Sequence, residues 1–357
     1  MSANIGKRLL FHLSTPRDVP RMAGVIAITL AVMANSPLSA QINELGELVR
    51  VLQLKAPDDD RPIPVITAVD IQPGGRHLAT SGDDHQVRIW DLTTGKMVRE
   101  LNGHTDWVHT TAFSPDGKQL MTAGADGKIL RWECDGQWPR TEFAQQTSAI
   151  SRIVFSPQGD KLAVASFNSR ITVYDLAKRS RILTLGCNCH DLRAVAISPR
   201  GNLVAGGGLN GHIRVWSMED GKALRDIPAH RQTIRSVEFS ADQSRIFSSG
   251  EDRAVRIWSL ADGQQVREIY CRSCKVLAMT MCGGNRLATA GSDNRIRIWD
   301  LATGKNLGSF VGHTGSVAAL DAHQNILVSG SFDTTARIWK LNTTHQTADR
   351  ETAVNRF

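Results

Sequence analysis

The chain has 357 residues, a formal charge of +7, 41% hydrophobic residues and only 6% aromatics. That length holds one or two domains and suffices for a continuous core. Lys7, Arg8, Arg17 and Arg21 against Asp18 leave a mild +4 beyond residue 40, which gives nucleic-acid binding no specific support.

Residues 1–40 differ in kind from the rest. Basic residues run up to Arg21, then comes an apolar stretch MAGVIAITLAVMA (22–34), and SPLSA (36–40) offers small residues before Gln41. This is the order of a secretory signal cleaved near Gln41. The apolar run is shorter than the roughly 20 residues of a comfortable membrane span. The expectation is export to a periplasm or medium. A membrane anchor results if the segment stays uncleaved, and a cytoplasmic leader is the other alternative.

The stretch GELVRVL (46–52) then matches GKMVREL (95–101), although it precedes the first full repeat. A loop rich in acids and prolines, APDDDRPIP (56–64), separates it from that repeat. From there one unit occurs seven times. Each ends a strand-like run on an aromatic residue: Trp90, Trp132, Tyr174, Trp216, Trp258, Trp299 and Trp339, at spacings of 42, 42, 42, 42, 41 and 40. Runs such as VRIW (87–90) and IRVW (213–216) are β-branched and aromatic, hence strand formers. SPDG (114–117), SPQG (156–159) and SPRG (198–201) are turns, and GADG (124–127), GEDR (250–253) and GSDN (291–294) form a second, tighter class. A fixed period near 40 in short strands predicts an all-β, seven-bladed propeller with one four-stranded antiparallel blade per period. After Leu341 there is only a polar tail (342–357), so the seventh blade lacks a fourth strand. The strand at 47–52 is expected to supply it beside Ala336–Trp339 and close the ring over residues 41–341.

With Trp90-Asp91 and Trp299-Asp300, and with Gly103-His104 and Gly312-His313, the chain resembles the WD-repeat family over about residues 47–341. The resemblance implies a platform that binds a protein or peptide partner, with no catalytic residue and no cofactor. It also implies a polar series in each blade, in which the His, a Ser/Thr of the second strand, the turn Asp and the third-strand Trp bond in turn. Three sets transfer complete: His104, Thr122, Asp126, Trp132; His230, Ser248, Asp252, Trp258; and His313, Ser329, Asp333, Trp339. The His–Asp–Ser/Thr grouping is also that of a hydrolase triad, but its recurrence beside a Trp favours a structural role. Four units depart from the pattern. The first has Arg61-Pro62 in place of Gly-His; the third has Gln146, Asn168 and Tyr174. The fourth has Asn188 and Gly206, and the sixth has Cys271 at the expected His place.

Other residues each carry a functional and a plain reading. Cys187-Asn188-Cys189-His190 and Cys271-Arg272-Ser273-Cys274 lie in equivalent loops two blades apart, too far for one tetrahedral metal site. Local disulfides are expected if the chain is exported, free thiols otherwise. Gly206–Gly211 fits G-x-G-x-x-G but has no helix after it, so it is no phosphate loop. Arg88, Arg214, Arg256, Arg297 and Arg337 recur two residues before the aromatic; a basic stripe for nucleic acid is the functional reading, and their regular placement points instead to a structural role such as inter-blade hydrogen bonding. Asp106, Trp107, Phe167, Arg170, Arg231, Arg295 and Phe332 fall in loops at one end of the blades, where the resemblance places partners. Exposed aromatics beside Arg are the usual material of interface hot spots, while packing against a neighbouring blade is the plain reading for the aromatics. An enzyme or metal-binding sensor using the central channel or the cysteine loops is the alternative. No repeated set of inward carboxylates or histidines supports it.

Overall fold

The computed structural model describes residues 45–55, 63–187, 189 and 191–342. The signal-like segment 1–40 and the tail beyond Asn342 lie outside the described residues, as do Asn188 and His190.

Alternation of apolar and polar residues in runs of about six, punctuated by Gly/Asp turns, makes every repeat a four-stranded meander. The first blade is Ile66–Ile71, His77–Gly82, Gln86–Asp91 and Met97–Asn102. Six sheets have this sequential order. In the seventh, Val317–His323, Ile326–Ser331 and Thr335–Leu341 take their fourth strand from the other end of the chain, Gly46–Gln53. Leu48 pairs with Trp339 and Leu52 with Ala336, so the ring closes as the repeat pattern requires. Gly46 has φ 151°, and a Cβ there would lie 2.1 Å from the Lys340 carbonyl oxygen, so the close approach of the closing strand needs glycine. All regular structure among the described residues is strand.

Each sheet face is apolar and buries itself against the next blade. At the closing seam Leu52, Leu54, Ile66, Leu78, Val328 and Ile338 form one cluster. In every blade the innermost pairing slips by one residue near its start, for example between Val108 and Thr110. A slip of this kind re-aims the bulged side chain. His109 uses it to bond the Ile150 carbonyl of the next blade (2.8 Å), and Thr67 to bond Val108 O (2.6 Å).

The inner strands surround a cavity of about 400 Å³, lined among others by Asp70, Arg152, Glu238 and Asp321. Where no repeated set of inward carboxylates was expected, three of the seven blades carry one at the same first-strand position. Each accepts a backbone N–H from the next blade: Asp70 from Phe113 (2.6 Å), Asp321 from Ile71 (2.7 Å) and Glu238 from Met281. Burial pushes Glu238 up to about 8; it also raises Asp321 and Asp70, the latter further because Asp321 lies near it. They act as latches between blades, and no group of three acid, His or Cys side chains among the described residues could hold a metal ion.

Candidate protein-interaction face

The polar series starts from the indole. In the second blade Trp132 Nε1 donates to Thr122 Oγ1 (3.0 Å), which lies 2.8 Å from His104 Nε2, while His104 Nδ1 is 2.9 Å from Asp126. Asp126 also accepts the N–H of Thr105 (3.0 Å) and of Lys128 (3.0 Å). The fifth blade repeats this with Trp258, Ser248, His230 and Asp252, and the seventh with Trp339, Ser329, His313 and Asp333. Burial alone would raise these aspartates. The hydrogen bonds outweigh it and hold Asp126 and Asp252 below the usual carboxylate range and Asp333 down to about 2. Thr122, Ser248 and Ser329 are wholly buried, and each hydroxyl oxygen already takes an indole N–H. A triad nucleophile needs an exposed oxygen free to attack, so these groups staple the tight turn to the third strand.

The departing blades solve the same problem differently. In the third, Gln146 replaces the imidazole, accepting from Ser166 Oγ (2.8 Å) and reaching Tyr174 Oη (3.4 Å). In the fourth, a Cβ on Gly206 would lie 2.7 Å from Ile171 Cδ1, so apolar packing fills the hydroxyl's place. The sixth corrects the sequence reading. Tyr270 pairs with Ala254 as Pro228 pairs with His212 at the preceding turn, so Cys271 aligns with Ala229. Cys271 therefore sits one residue before the His position, and Arg272 stands in register with His230. Arg272 is exposed. Inside, Cys271 still bonds the Thr289 side chain as the imidazole does elsewhere, and Arg297 bonds Asp293 (3.2 Å), Ser273 Oγ (3.0 Å) and Cys274 Sγ (3.4 Å). Cys271 and Cys274 are free and buried; Cys187 and Cys189 stand sulfur to sulfur with Cα atoms 4.9 Å apart.

The third-strand arginines are structural, but they bond within their own blade and not between blades. Arg88 reaches Asp84 (2.6 Å) and Glu100 (3.2 Å), and Arg256 reaches Asp252 (2.7 Å) and Glu268 (2.9 Å). A side chain in the middle of a four-stranded sheet is nearest its own turn and its own neighbour strand. The seams are bridged instead by fourth-strand arginines. Arg50 donates to Thr94 O (2.6 Å) and Thr93 O (2.9 Å), Arg267 to Thr303 O (2.8 Å) and Ala302 O (2.9 Å), and Arg225 to Ala261 O.

One end of the ring gathers the loops that enter the first strands and the tight Asp turns. Backbone bonds join the two loop types: Ala125 N to Trp107 O (2.8 Å), Phe167 N to Ala149 O (3.0 Å) and Phe332 N to Ser316 O (3.0 Å). Trp107 is 50% exposed and Phe332 49%. Phe167 is half-buried, edge-on to His109 (5.5 Å) with the Arg193 guanidinium 4.5 Å above its ring. Asp106 is exposed and accepts the Trp107 N–H (2.8 Å). Arg170, Arg231 and Arg295 are exposed, and no hydrogen bond or ion pair engages their guanidiniums among the described residues. The seven residues do not form one patch. Asp106, Trp107, Phe167 and Arg170 lie on the second and third blades, and Arg231, Arg295 and Phe332 on the fifth to seventh. Leu209, 53% exposed, occupies in the fourth blade the place Phe167 and Phe332 hold in theirs. The signal for it was its position directly before the turn residue Asn210.

The family described as "WD domain, G-beta repeat" matches residues 50–91, 95–133, 137–175, 179–217, 221–259, 263–300 and 304–340. Among curated proteins, the chain is similar to a THO complex subunit 6 homolog from Danio rerio, 39% identical over 14% of this chain and 16% of that protein. It is similar to a Lissencephaly-1 homolog from Monosiga brevicollis, 31% identical over 22% and 19%. An anaphase-promoting complex subunit cdh1 from Dictyostelium discoideum is 45% identical over 14% and 7%. The chain thus spans less than a fifth of the length of each. Seven consecutive family matches, on seven blades joined by the observed strand order, make the chain a member of the WD-repeat family.

Proposed function

We propose that the protein is a non-catalytic platform that binds a protein partner through the loop-rich end of its ring. The observation that carries this is Trp107, held half-exposed at the mouth of a first strand while every repeat Trp is buried. An indole left in water has no folding role that requires it, and Trp is the residue most enriched in binding hot spots. Two similar proteins bear names of complex subunits, the THO complex and the anaphase-promoting complex, which fits such a role. The channel carboxylates and the buried hydroxyls are already spent on holding blades together, which speaks against catalysis at either place. Affinity capture from the source cell, with wild type and Trp107→Ala side by side, tests the reading. A partner lost with the substitution, at unchanged melting temperature, is expected; an identical set of captured proteins would overturn it.

We further propose export, on the charge, apolar and small-residue order of residues 1–40. N-terminal sequencing of the mature protein is expected to begin near Gln41. An intact start at Met1 or Ser2 would reject export by cleavage.

A further inference from the structure

On the fifth and sixth blades the loop-rich end carries carboxylates that are already matched. Glu251 is held by Arg235 Nε (2.8 Å) and Lys275 Nζ (2.9 Å), Asp252 by His230 (2.8 Å) and Arg256 (2.7 Å), and Asp293 by Arg297 and Ser273 (3.1 Å). Four further arginines, Arg231, Arg253, Arg272 and Arg295, are exposed there, and among the described residues their guanidiniums donate no hydrogen bond and close no ion pair. The result is a local excess of positive charge. The turns at the other end of the ring carry both signs, Asp116, Asp160 and Asp220 beside Lys118, Lys161 and Lys222.

Arg272 is in register with the imidazole that completes the polar series in the second, fifth and seventh blades, yet its side chain is exposed. Arg253 follows Asp252 in the tight turn and is exposed there, at the left-handed position that His85, Ser169, Asn294 and Thr334 hold in other blades.

Apolar side chains border the same sector. Tyr270 is 54% exposed and Val311 61%, and Phe332 lies on the adjoining seventh blade. The pairing of Ile296 with Phe310 brings Arg295 alongside Val311, and that of Ala254 with Tyr270 places Tyr270 across from the residue that follows Arg253.

Resting on the reading of this end as the protein-binding face, we propose that the sector of blades five to seven takes an acidic peptide segment with interspersed apolar side chains. Its carboxylates meet Arg231, Arg253, Arg272 and Arg295, and its apolar residues meet Tyr270, Val311 and Phe332. Guanidiniums hold carboxylates by paired, planar hydrogen bonds. A nucleic-acid strand offers no aliphatic side chains to the apolar border, and beyond the sector it would run onto Asp83, Asp84 and Asp106.

The test is fluorescence anisotropy on the full chain. The probe is a labelled peptide of about twelve residues, rich in Glu with a few Leu, titrated at low and high salt. Saturable binding that weakens with salt is expected. Arg272→Glu with Arg295→Glu is expected to weaken it about 10-fold or more, and Arg231→Glu with Arg253→Glu similarly. Lys222→Glu at the opposite end is expected to leave it unchanged, all variants melting with wild type. Should a reversal pair melt early, the corresponding Arg→Gln pair gives the same reading with less disturbance. No saturable binding by wild type, or wild-type affinity in both reversal pairs, overturns the proposal. So does an oligonucleotide of equal charge that competes as well as the peptide itself. If Trp107→Ala abolishes partner capture while the acidic peptide fails to bind, the platform reading survives and this one falls.

Discussion

Asp321 Oδ2 accepts the backbone N–H of Ile71 at 2.7 Å, and this bond joins the last blade to the first beside the channel. Arg50 spans the same seam at the rim, through the carbonyls of Thr93 and Thr94. The strand that closes the ring and the two blades it joins are therefore tied at the inner and outer radius by different chemistry. The inner tie involves a group that titrates.

Stability should fall as pH rises from mild acid. Glu238 ionises near 4.5 ordinarily but only at about 8 in the folded chain, because it is buried; Asp70 and Asp321 shift the same way. Between those limits the native state keeps protons the unfolded chain has released, so each rise in pH favours unfolding. The stabilisation is full below the ordinary ionisation and lost as pH passes through about 8 for Glu238. Glu238→Gln keeps an oxygen for Met281 N–H and removes the charge. It should flatten the decline and melt a few degrees above wild type near pH 8.5. Parallel melting curves for the two proteins across that range would show that Glu238 is ionised in the fold.

The imidazole series should matter more than its substitutes. His230→Ala leaves the wholly buried Ser248 hydroxyl and Asp252 short of a partner, at a cost of about 2–3 kcal/mol. Gln146→Ala breaks one good bond and one long one, at about 1 kcal/mol. Urea unfolding ranks the two; equal losses would mean that the series contributes through packing alone. The aspartates set an acid limit with the opposite sign from the channel. Asp333, lowered to about 2, contributes fully above its ordinary ionisation near 3.8 and loses that contribution as pH falls through about 2.

The closing strand should be essential to the whole ring. Leu52 is almost wholly buried in the seam cluster, so Leu52→Ala should cost about 2–4 kcal/mol. Arg50→Ala, on the rim, should cost about 1 kcal/mol. Deleting residues 41–53 exposes a sheet edge and the cluster together. A melting temperature unchanged by that deletion would mean the ring is stable open.

Much of the fold was legible because a propeller writes its period into the chain. The aromatic at each third strand's end sets the phase, and GELVRVL announces a fourth strand without a blade of its own. Features within a loop were harder to read. The fourth strand has no marker residue, so only the pairing of Tyr270 with Ala254 shows that Arg272 holds the His register while Cys271, one residue earlier, bonds Thr289. The arginine roles were exchanged because sequence position shows which residues recur and not which strand is nearest a seam. The rim set was nonetheless visible, as Arg50, Arg225 and Arg267 recur in Val-Arg or Leu-Arg pairs of the fourth strands. The channel acids fall where the other blades carry Ala, Val or Thr, and so hide among residues of a different kind.

Trp107→Ala separates the two readings of the loop-rich end. Its neighbours in sequence do fold work: Val108 is buried, and the Trp107 carbonyl accepts the Ala125 N–H at 2.8 Å. Neither depends on the indole. A buried Trp replaced by Ala would cost about 3–5 kcal/mol. At half exposure, with no aromatic or polar partner for the ring among the described residues, the loss in stability should stay below about 1 kcal/mol. A hot spot loses upward of about 2 kcal/mol of binding on the same truncation. Phe167→Ala is the useful comparison, because that ring packs on His109 and under Arg193 and should lower stability as well as binding. Melting and partner capture measured on both variants therefore give a pattern. Binding lost alone for Trp107, and with stability for Phe167, is expected for a partner seated on the second and third blades. A large drop in melting temperature for Trp107→Ala would return the indole to packing and leave the fifth to seventh blades as the sector to search.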